Sequence, residues 1–268
     1  MLLGGVCAAF ALACAEVGTG PDVAAAIEFT PFPSPSVVVG DTLRDINGVV
    51  VPIRAIARNI RGDAITNAPL RYLYADALKD SVLRVDSLTG IVRGLRVTST
   101  AARLAARVGA SLQVLNTILV TSRPDSVVAS TSGPLAVFTT TLPDTGRQQA
   151  SLNQSPALPV TVSNIDAVSK VFSGVNGWLV RYDIVSPVNA TNDTSNVVYL
   201  VDDAGRASVI DTTDFSGGAG RKVRVRAARF PAAGASLDSV IVRATVTYRG
   251  RAVPGSPVRF ALPVRRGS

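Results

Sequence analysis

The chain contains no histidine. That absence removes Ser-His-Asp hydrolysis, Cys-His catalysis and histidine-ligated zinc, because each needs an imidazole to move a proton or hold the metal. Aromatic residues are scarce, at 5% with a single Trp and five Tyr, so a carbohydrate-stacking platform of exposed rings is disfavoured. The two cysteines, Cys7 and Cys14, both lie near the start, and no disulfide framework can be built from them in the body of the chain.

What the chain does hold is Val, Ala, Thr and Ser in short runs punctuated by 22 Gly and 16 Pro, with 47% hydrophobic residues overall. That mixture favours strands and turns, and 268 residues are enough for two modest cores. The net charge of +8 could attract nucleic acid or an anionic surface. The arginines are spread through alternating strands, however, as in "RKVRVRAARF" (221–230), where Lys222, Arg224 and Arg226 are expected on one solvated face. No helix-turn-helix, RNA-binding aromatic pair or zinc spacing accompanies them, so no nucleic-acid partner is expected.

Residues 1–13 carry no charge, and the run "LLGGVCAAFALA" has the length of a signal-peptide apolar region while being too short to span a bilayer as a helix. Leu12 and Ala13 lead to Cys14, and a loose polar stretch, "AEVGTGPD", follows. This arrangement resembles the lipobox of bacterial lipoproteins. The resemblance implies that Cys14 is acylated and becomes the first residue of the mature chain, giving a membrane partner through a lipid anchor. Ala15 in the next position implies the outer membrane. An ordinary cleaved signal, an uncleaved anchor and a core strand are the alternatives for this segment.

Beyond a polar tether over 14–26, "FTPFPSPSVVVGDTL" (29–43) is too rich in proline for a helix and suits an edge strand entering a turn at Gly40-Asp41. In "VVVPIRAIARN" (49–59) the alternation sets Ile53, Ala55 and Ala57 on one face and Arg54, Ile56 and Arg58 on the other. The segment 99–113 has a helical composition, but Leu104, Ala106 and Val108 also alternate, which predicts strand, turn about Gly109, and strand. "LRVDSLTGIVRGL" (83–95) predicts a hairpin whose Thr89-Gly90 supplies a positive φ, with Val85 and Val92 as buried partners.

With "SVVVGDTL" (36–43), that hairpin and the closing strand through "TILVTS" (117–122), residues 27–122 resemble the bacterial Ig-like group 2 family. The resemblance implies an Ig-like sandwich. "RYLYAD" stands where that family carries Trp-Ser-Ser, which places Tyr72 or Tyr74 in the core. "SRPDSV" (122–127) predicts a junction, and residues 123–264 look like a second, diverged Ig-like domain. Its "VDDAGRASV" is similar to the hairpin of group 1 invasin-like repeats, turning at Asp202, Asp203 and Gly205, and Trp178 is expected to anchor its core between sheets.

Asp202, Asp203, Asp211 and Asp214 could converge on calcium, but their irregular spacing predicts turn and strand-end roles. "DFSGGAGRK" (214–222) lacks the Gly-Lys-Ser/Thr of a phosphate loop and predicts a flexible hairpin. Asn189 and Asn192 open Asn-x-Thr sequons that a lipoprotein context would leave as a polar loop. Ser169 and Lys170, adjacent on an expected strand, would face opposite sides and could not pair for catalysis.

The sequence thus predicts an all-β chain of two tandem Ig-like β-sandwich domains after an N-terminal signal segment. The expected function is a non-catalytic cell-envelope lipoprotein serving binding, adhesion or spacing, with an unidentified protein or polysaccharide ligand, no cofactor and no metal. A carbohydrate- or cell-wall-binding accessory module and an exported enzyme without histidine chemistry are the alternatives.

Overall fold

The computed structural model describes residues 23–76, 81–131, 133–141, 153–229 and 236–267. The chain is all-β. Its first eight strands are β1 (Ala26–Phe29), β2 (Ser36–Val38), β3 (Ala55–Arg58), β4 (Arg71–Tyr74), β5 (Leu83–Val85), β6 (Val92–Gly94), β7 (Ala102–Val108) and β8 (Leu112–Thr121). Then follow β9 (Ser126–Ala129), β10 (Phe138–Thr140), β11 (Leu158–Ile165), β12 (Phe172–Gly174), β13 (Leu179–Ser186), β14 (Val198–Val201), β15 (Ile210–Thr212) and β16 (Gly218–Val225). The last are β17 (Ser236–Thr245), β18 (Thr247–Tyr248), β19 (Arg251–Ala252) and β20 (Val258–Arg266).

Buried side chains fall into two clusters. The first, from Val37 to Val120, packs the β2-β8-β7-β4 sheet against Leu43, Ile53 and the β5-β6 hairpin. The second, from Val127 to Val264, lies between the sheet β10-β20-β17-β13-β15 and the sheet β12-β11-β16-β14, with β9 added on β11. We call these the first and second units. In each, a short early strand runs parallel to the last long one, Ser36 beside Leu119 and Phe138 beside Val264, so the sandwich is closed by contacts remote in sequence.

Both cores are built chiefly from valine and other aliphatics, as the shortage of aromatics requires. The alternation is borne out where it is cleanest. Ile53 and Ala57 are fully buried, Leu104 and Ala106 likewise, and the chain does turn at Gly109 between β7 and β8. Tyr72 enters the first core and its hydroxyl accepts the Ala55 N–H at 3.0 Å. In the second unit the ring that ties the sheets is Tyr182, which is fully buried and donates its hydroxyl to the Ala219 carbonyl across the sandwich. Burial pushes that phenol far above its ordinary titration range, so it remains a donor.

One loop chemistry recurs. At Asp45, Asn59, Asp202 and Asp214 the carbonyl accepts the N–H of a glycine three residues on, while the side chain accepts backbone N–H groups of its own loop. The β5-β6 and β11-β12 hairpins share a longer version. Asp86 accepts from the Leu88 and Thr89 N–H groups and the Thr89 hydroxyl, and Asp166 does the same with Val168 and Ser169. The two units therefore carry equivalent hairpins, "VDSLTGIV" and "IDAVSKVF", with Lys170 at φ 59° where the first has Gly90 at 74°.

That substitution leaves a side chain in the left-handed region, which costs about 1–2 kcal/mol for a non-glycine residue. Lys170→Gly is expected to stabilise the second unit by about 1 kcal/mol in urea denaturation. Gly90→Ala is expected to destabilise the first by about 2–5 kcal/mol, since strain adds to a clash; its methyl would lie 2.4 Å from the Ile53 carbonyl oxygen. Destabilisation of the second unit by Lys170→Gly, or no loss of stability in Gly90→Ala, would contradict the shared geometry.

Candidate functional site

A densely bonded polar cluster lies where the two units meet. Asp41, in the turn after β2, is 6% exposed. Its carboxylate accepts the Thr42 N–H, Nε and Nη2 of Arg44, the Tyr248 hydroxyl at 2.9 Å and Nε of Arg249 at 2.8 Å. Tyr248 and Arg249 belong to the β18-β19 hairpin of the second unit, and the Arg249 guanidinium also lies 5.3 Å from the Tyr248 ring centre. Burial alone would raise the Asp41 pKa, but the hydrogen bonds from Arg249, Arg44, Thr42 and Tyr248 outweigh it and hold the carboxyl well below the usual range.

Around this clamp the two units touch along backbone. The Ser36 hydroxyl donates to the Gly177 carbonyl at 2.8 Å and the Thr247 hydroxyl to the Ile46 carbonyl at 2.9 Å. Gly48 sits so close to the other unit that an added Cβ would lie 2.0 Å from the Gly250 nitrogen. The connecting segment is held as well. Asn164 donates to the Arg123 carbonyl at 3.0 Å and the Asp125 carboxylate at 2.7 Å, and the Asp125 N–H donates to Ser163.

Trp178 differs from expectation. It packs against the second core only from its margin, half-buried at the junction and edge-on to Tyr248 at 6.1 Å, while Tyr182 takes the central position. The reason is its place just ahead of β13, before the strand enters the sandwich.

The other sequence candidates resolve into structural roles. Asp202 and Asp214 spend their carboxylates on their own loops, and hydrogen bonds, from the Arg206 N–H for Asp202 and the Ser216 hydroxyl for Asp214, lower both pKa values. Asp203 pairs with Lys222 at 2.9 Å, and Asp211 pairs with Arg221 at 2.8 Å while accepting the Gly220 N–H. Among the described residues no group of three or more His, Cys, Asp or Glu could hold a metal ion. "DFSGGAGRK" forms a hairpin loop that leads into strand β16, where a phosphate loop would lead into a helix.

Two expectations need correction. Lys222, Arg224 and Arg226 do not share a solvated face, for Arg224 is only 6% exposed and Arg226 lies over the Tyr199 ring; the chain around Gln154 and Ser155 pairs along this edge and covers it. Ser169 and Lys170 sit in the tip of a hairpin, not on a strand, and bond to Asp166 and the Ala167 carbonyl.

Asn189 and Asn192 are more than a polar loop. The Asn192 amide donates to the Leu200 carbonyl and accepts the Leu200 N–H, and Asn189 donates to the Val198 carbonyl. These amides occupy the outward backbone groups of edge strand β14, which would otherwise offer a template for pairing with another chain. Cys14 lies outside the described residues, and no helix among the described residues is long and apolar enough to cross a membrane.

No family model matches the chain and no curated protein is similar to it. Among solved structures it is similar to the S-layer protein SbsC, at 12% identity and a TM-score of 0.30, over 91% of this chain and 28% of that one. It is similar to human protocadherin-24 domains EC1-2, at 13% identity and a TM-score of 0.28, over 91% of this chain and 98% of that one. It is similar also to the Yersinia pseudotuberculosis adhesin InvE, at 16% identity and a TM-score of 0.31, over 87% of this chain and 57% of that one. At these values likeness transfers no function.

The clamp makes a prediction with a definite sign. A carboxylate whose folded pKa is depressed contributes stability above its unfolded value, ordinarily 3.8, and loses it as the pH falls toward the lower folded value. Asp41→Asn is expected to lose about 2–4 kcal/mol at neutral pH in urea denaturation, because hydrogen bonds to a charged group are removed. The gap from the native chain should shrink steadily below pH 3.8; a gap independent of pH would refute the assignment.

Proposed function

We propose that this chain is an exported, non-catalytic Ig-like module of the bacterial cell envelope, tethered by lipid at Cys14 and acting as a spacer or adhesion element. The division into an Ig-like domain over 27–122 and a second over 123–264 is part of this reading, as is the group 2 family resemblance of the first. The observation that carries it is the Asp41 junction. A chain that invests a carboxylate with five hydrogen bonds in fixing one β-unit to the next is built to hold two bodies at a set orientation. Default behaviour for small polar inter-domain contacts is relative motion, and this junction opposes it.

Spacing and surface binding suit such a body better than catalysis. With histidine absent, an enzyme would need convergent acids or an activated Ser or Lys, and the Ser, Lys and Asp candidates discussed above are engaged in turns and ion pairs. The partners proposed are a membrane, through the lipid, and a protein or polysaccharide met by loops and sheet faces. Neither nucleic acid nor a cofactor is part of the reading.

The test is fractionation and intact mass of the chain expressed from its natural upstream region in a bacterial host, beside Cys14→Ala. The native chain should lose residues 1–13, gain the mass of a lipid and enter the membrane fraction, while the variant should not. Both forms staying soluble with residues 1–13 intact would remove the lipoprotein reading.

A further inference from the structure

The outward face of the β10-β20-β17-β13-β15 sheet carries an arrangement that the fold itself does not require. On neighbouring strands β13 and β17, Asp183 stands opposite Arg243, and on β20 Arg259 stands opposite Arg243 in turn. Arg181 Nε meets one Asp183 oxygen at 3.1 Å and Arg243 Nη2 meets the other at 3.7 Å. The Asp183 side chain is 17% exposed, whereas those of Arg181 and Arg243 are 47% and 49% exposed. One sheltered carboxylate thus holds two guanidinium groups whose remaining N–H donors face solvent. Like charges directly opposite on a sheet are destabilising, so the exposed Arg259 beside Arg243 adds positive charge at a cost to the fold.

These cations do not lie on a plain surface. Arg181, Asp183 and Arg243 line an open cleft of about 800 Å³, closed on one side by Ile46 and Asn47 of the first unit and on another by the loop after β13. Val188 in that loop is 82% exposed, and Asn47, whose backbone N–H is bonded to Asp45, lines the cleft from the first unit. The cleft therefore offers charge beside an apolar wall. Adjacent strands are about 4.8 Å apart and Arg181 lies two residues along from the row of Arg243 and Arg259, so the three arginines span about 12 Å over three strands.

We propose that this cleft binds an acidic polysaccharide, with the outward N–H groups of Arg181 and Arg243 taking a sugar carboxylate, Arg259 meeting the next anionic group, and Val188 contacting an apolar sugar face. Planar, bidentate recognition of carboxylates is what guanidinium groups do best. No aromatic ring lines the cleft, so the ring platform on which single-stranded nucleic acids stack successive bases is missing. The inference gives a ligand class to the surface binding proposed above. It is tested in solution whatever happens at Cys14, so the two readings fail separately.

The experiment is fluorescence polarisation of labelled alginate oligosaccharide with the detergent-solubilised full chain, beside neutral dextran oligosaccharide and a labelled DNA duplex. Alginate should bind, dextran should not, and binding should weaken with added salt. The double variant R181Q/R243Q should lose at least about tenfold in affinity, as two charge-assisted contacts disappear. R71Q/R107Q removes the same charge from an exposed, facing arginine pair on β4 and β7 and should change it less than about twofold. Should the first variant fold poorly, the peripheral Arg259→Gln should still give a partial loss of about twofold to threefold. No binding of alginate, equal losses in the two double variants, no loss in Arg259→Gln, or tighter binding of DNA than of alginate would each overturn the proposal.

Discussion

A carboxylate taken out of water has to be repaid in hydrogen bonds, and at Asp41 the donors come from both halves of the molecule. Arg44 and the Thr42 N–H are local, but Tyr248 and Arg249 lie more than two hundred residues away, with sequence separations of 207 and 208. Separating the units would leave Asp41 with only its local partners and exchange two hydrogen bonds, one of them from a cation, for water. The glycine contact between Gly48 and Gly250 follows from the same approach, since neither chain could come so near with a side chain in between. The cleft beside it exists because this clamp parks the loop carrying Ile46 and Asn47 against the second unit's sheet.

The same chemistry of acidic residues accounts for the distribution of charge. Asp45, Asp86, Asp166, Asp202 and Asp214 cap their own turns, and Asp211 pairs with Arg221 at the edge of the second core. Several acid groups are thus drawn into loops and joints, while Arg71, Arg107, Arg181, Arg243 and Arg259 stand exposed on outward strand positions, in a chain with 27 basic and 19 acidic residues in all. A polyanion-binding surface can arise on such a fold without a dedicated motif, by placing one sheltered acid between two arginines.

Local periodicity made much of the architecture legible. The β5-β6 hairpin and the turn at Gly109 depend on near neighbours and on side-chain alternation, and the structure agrees with both; the family resemblance left Tyr72 or Tyr74 for the core, and Tyr72 is the one buried. What could not be read depends on distant pairing. Asp41 looked like an ordinary turn residue, Trp178 a core anchor and Arg224 a solvated cation, because nothing nearby shows which segment will cover them. The hairpin at Asp166 escaped comparison with that at Asp86 because Lys170 stands where glycine would have flagged the positive φ. Asn189 and Asn192 likewise matched a modification motif, while their amides serve strand β14.

The claim most exposed to test is that the Asp41 clamp fixes the orientation of the two units. Spin labels at Thr117 on β8 and Thr212 on β15, both exposed, would report it by electron–electron distance measurement in a chain whose Cys7 and Cys14 are replaced by Ser. The account predicts a single narrow distance distribution that broadens when Asp41 is replaced by Ala. A broad or multiple distribution in the unsubstituted chain, unaffected by Asp41→Ala, would contradict it.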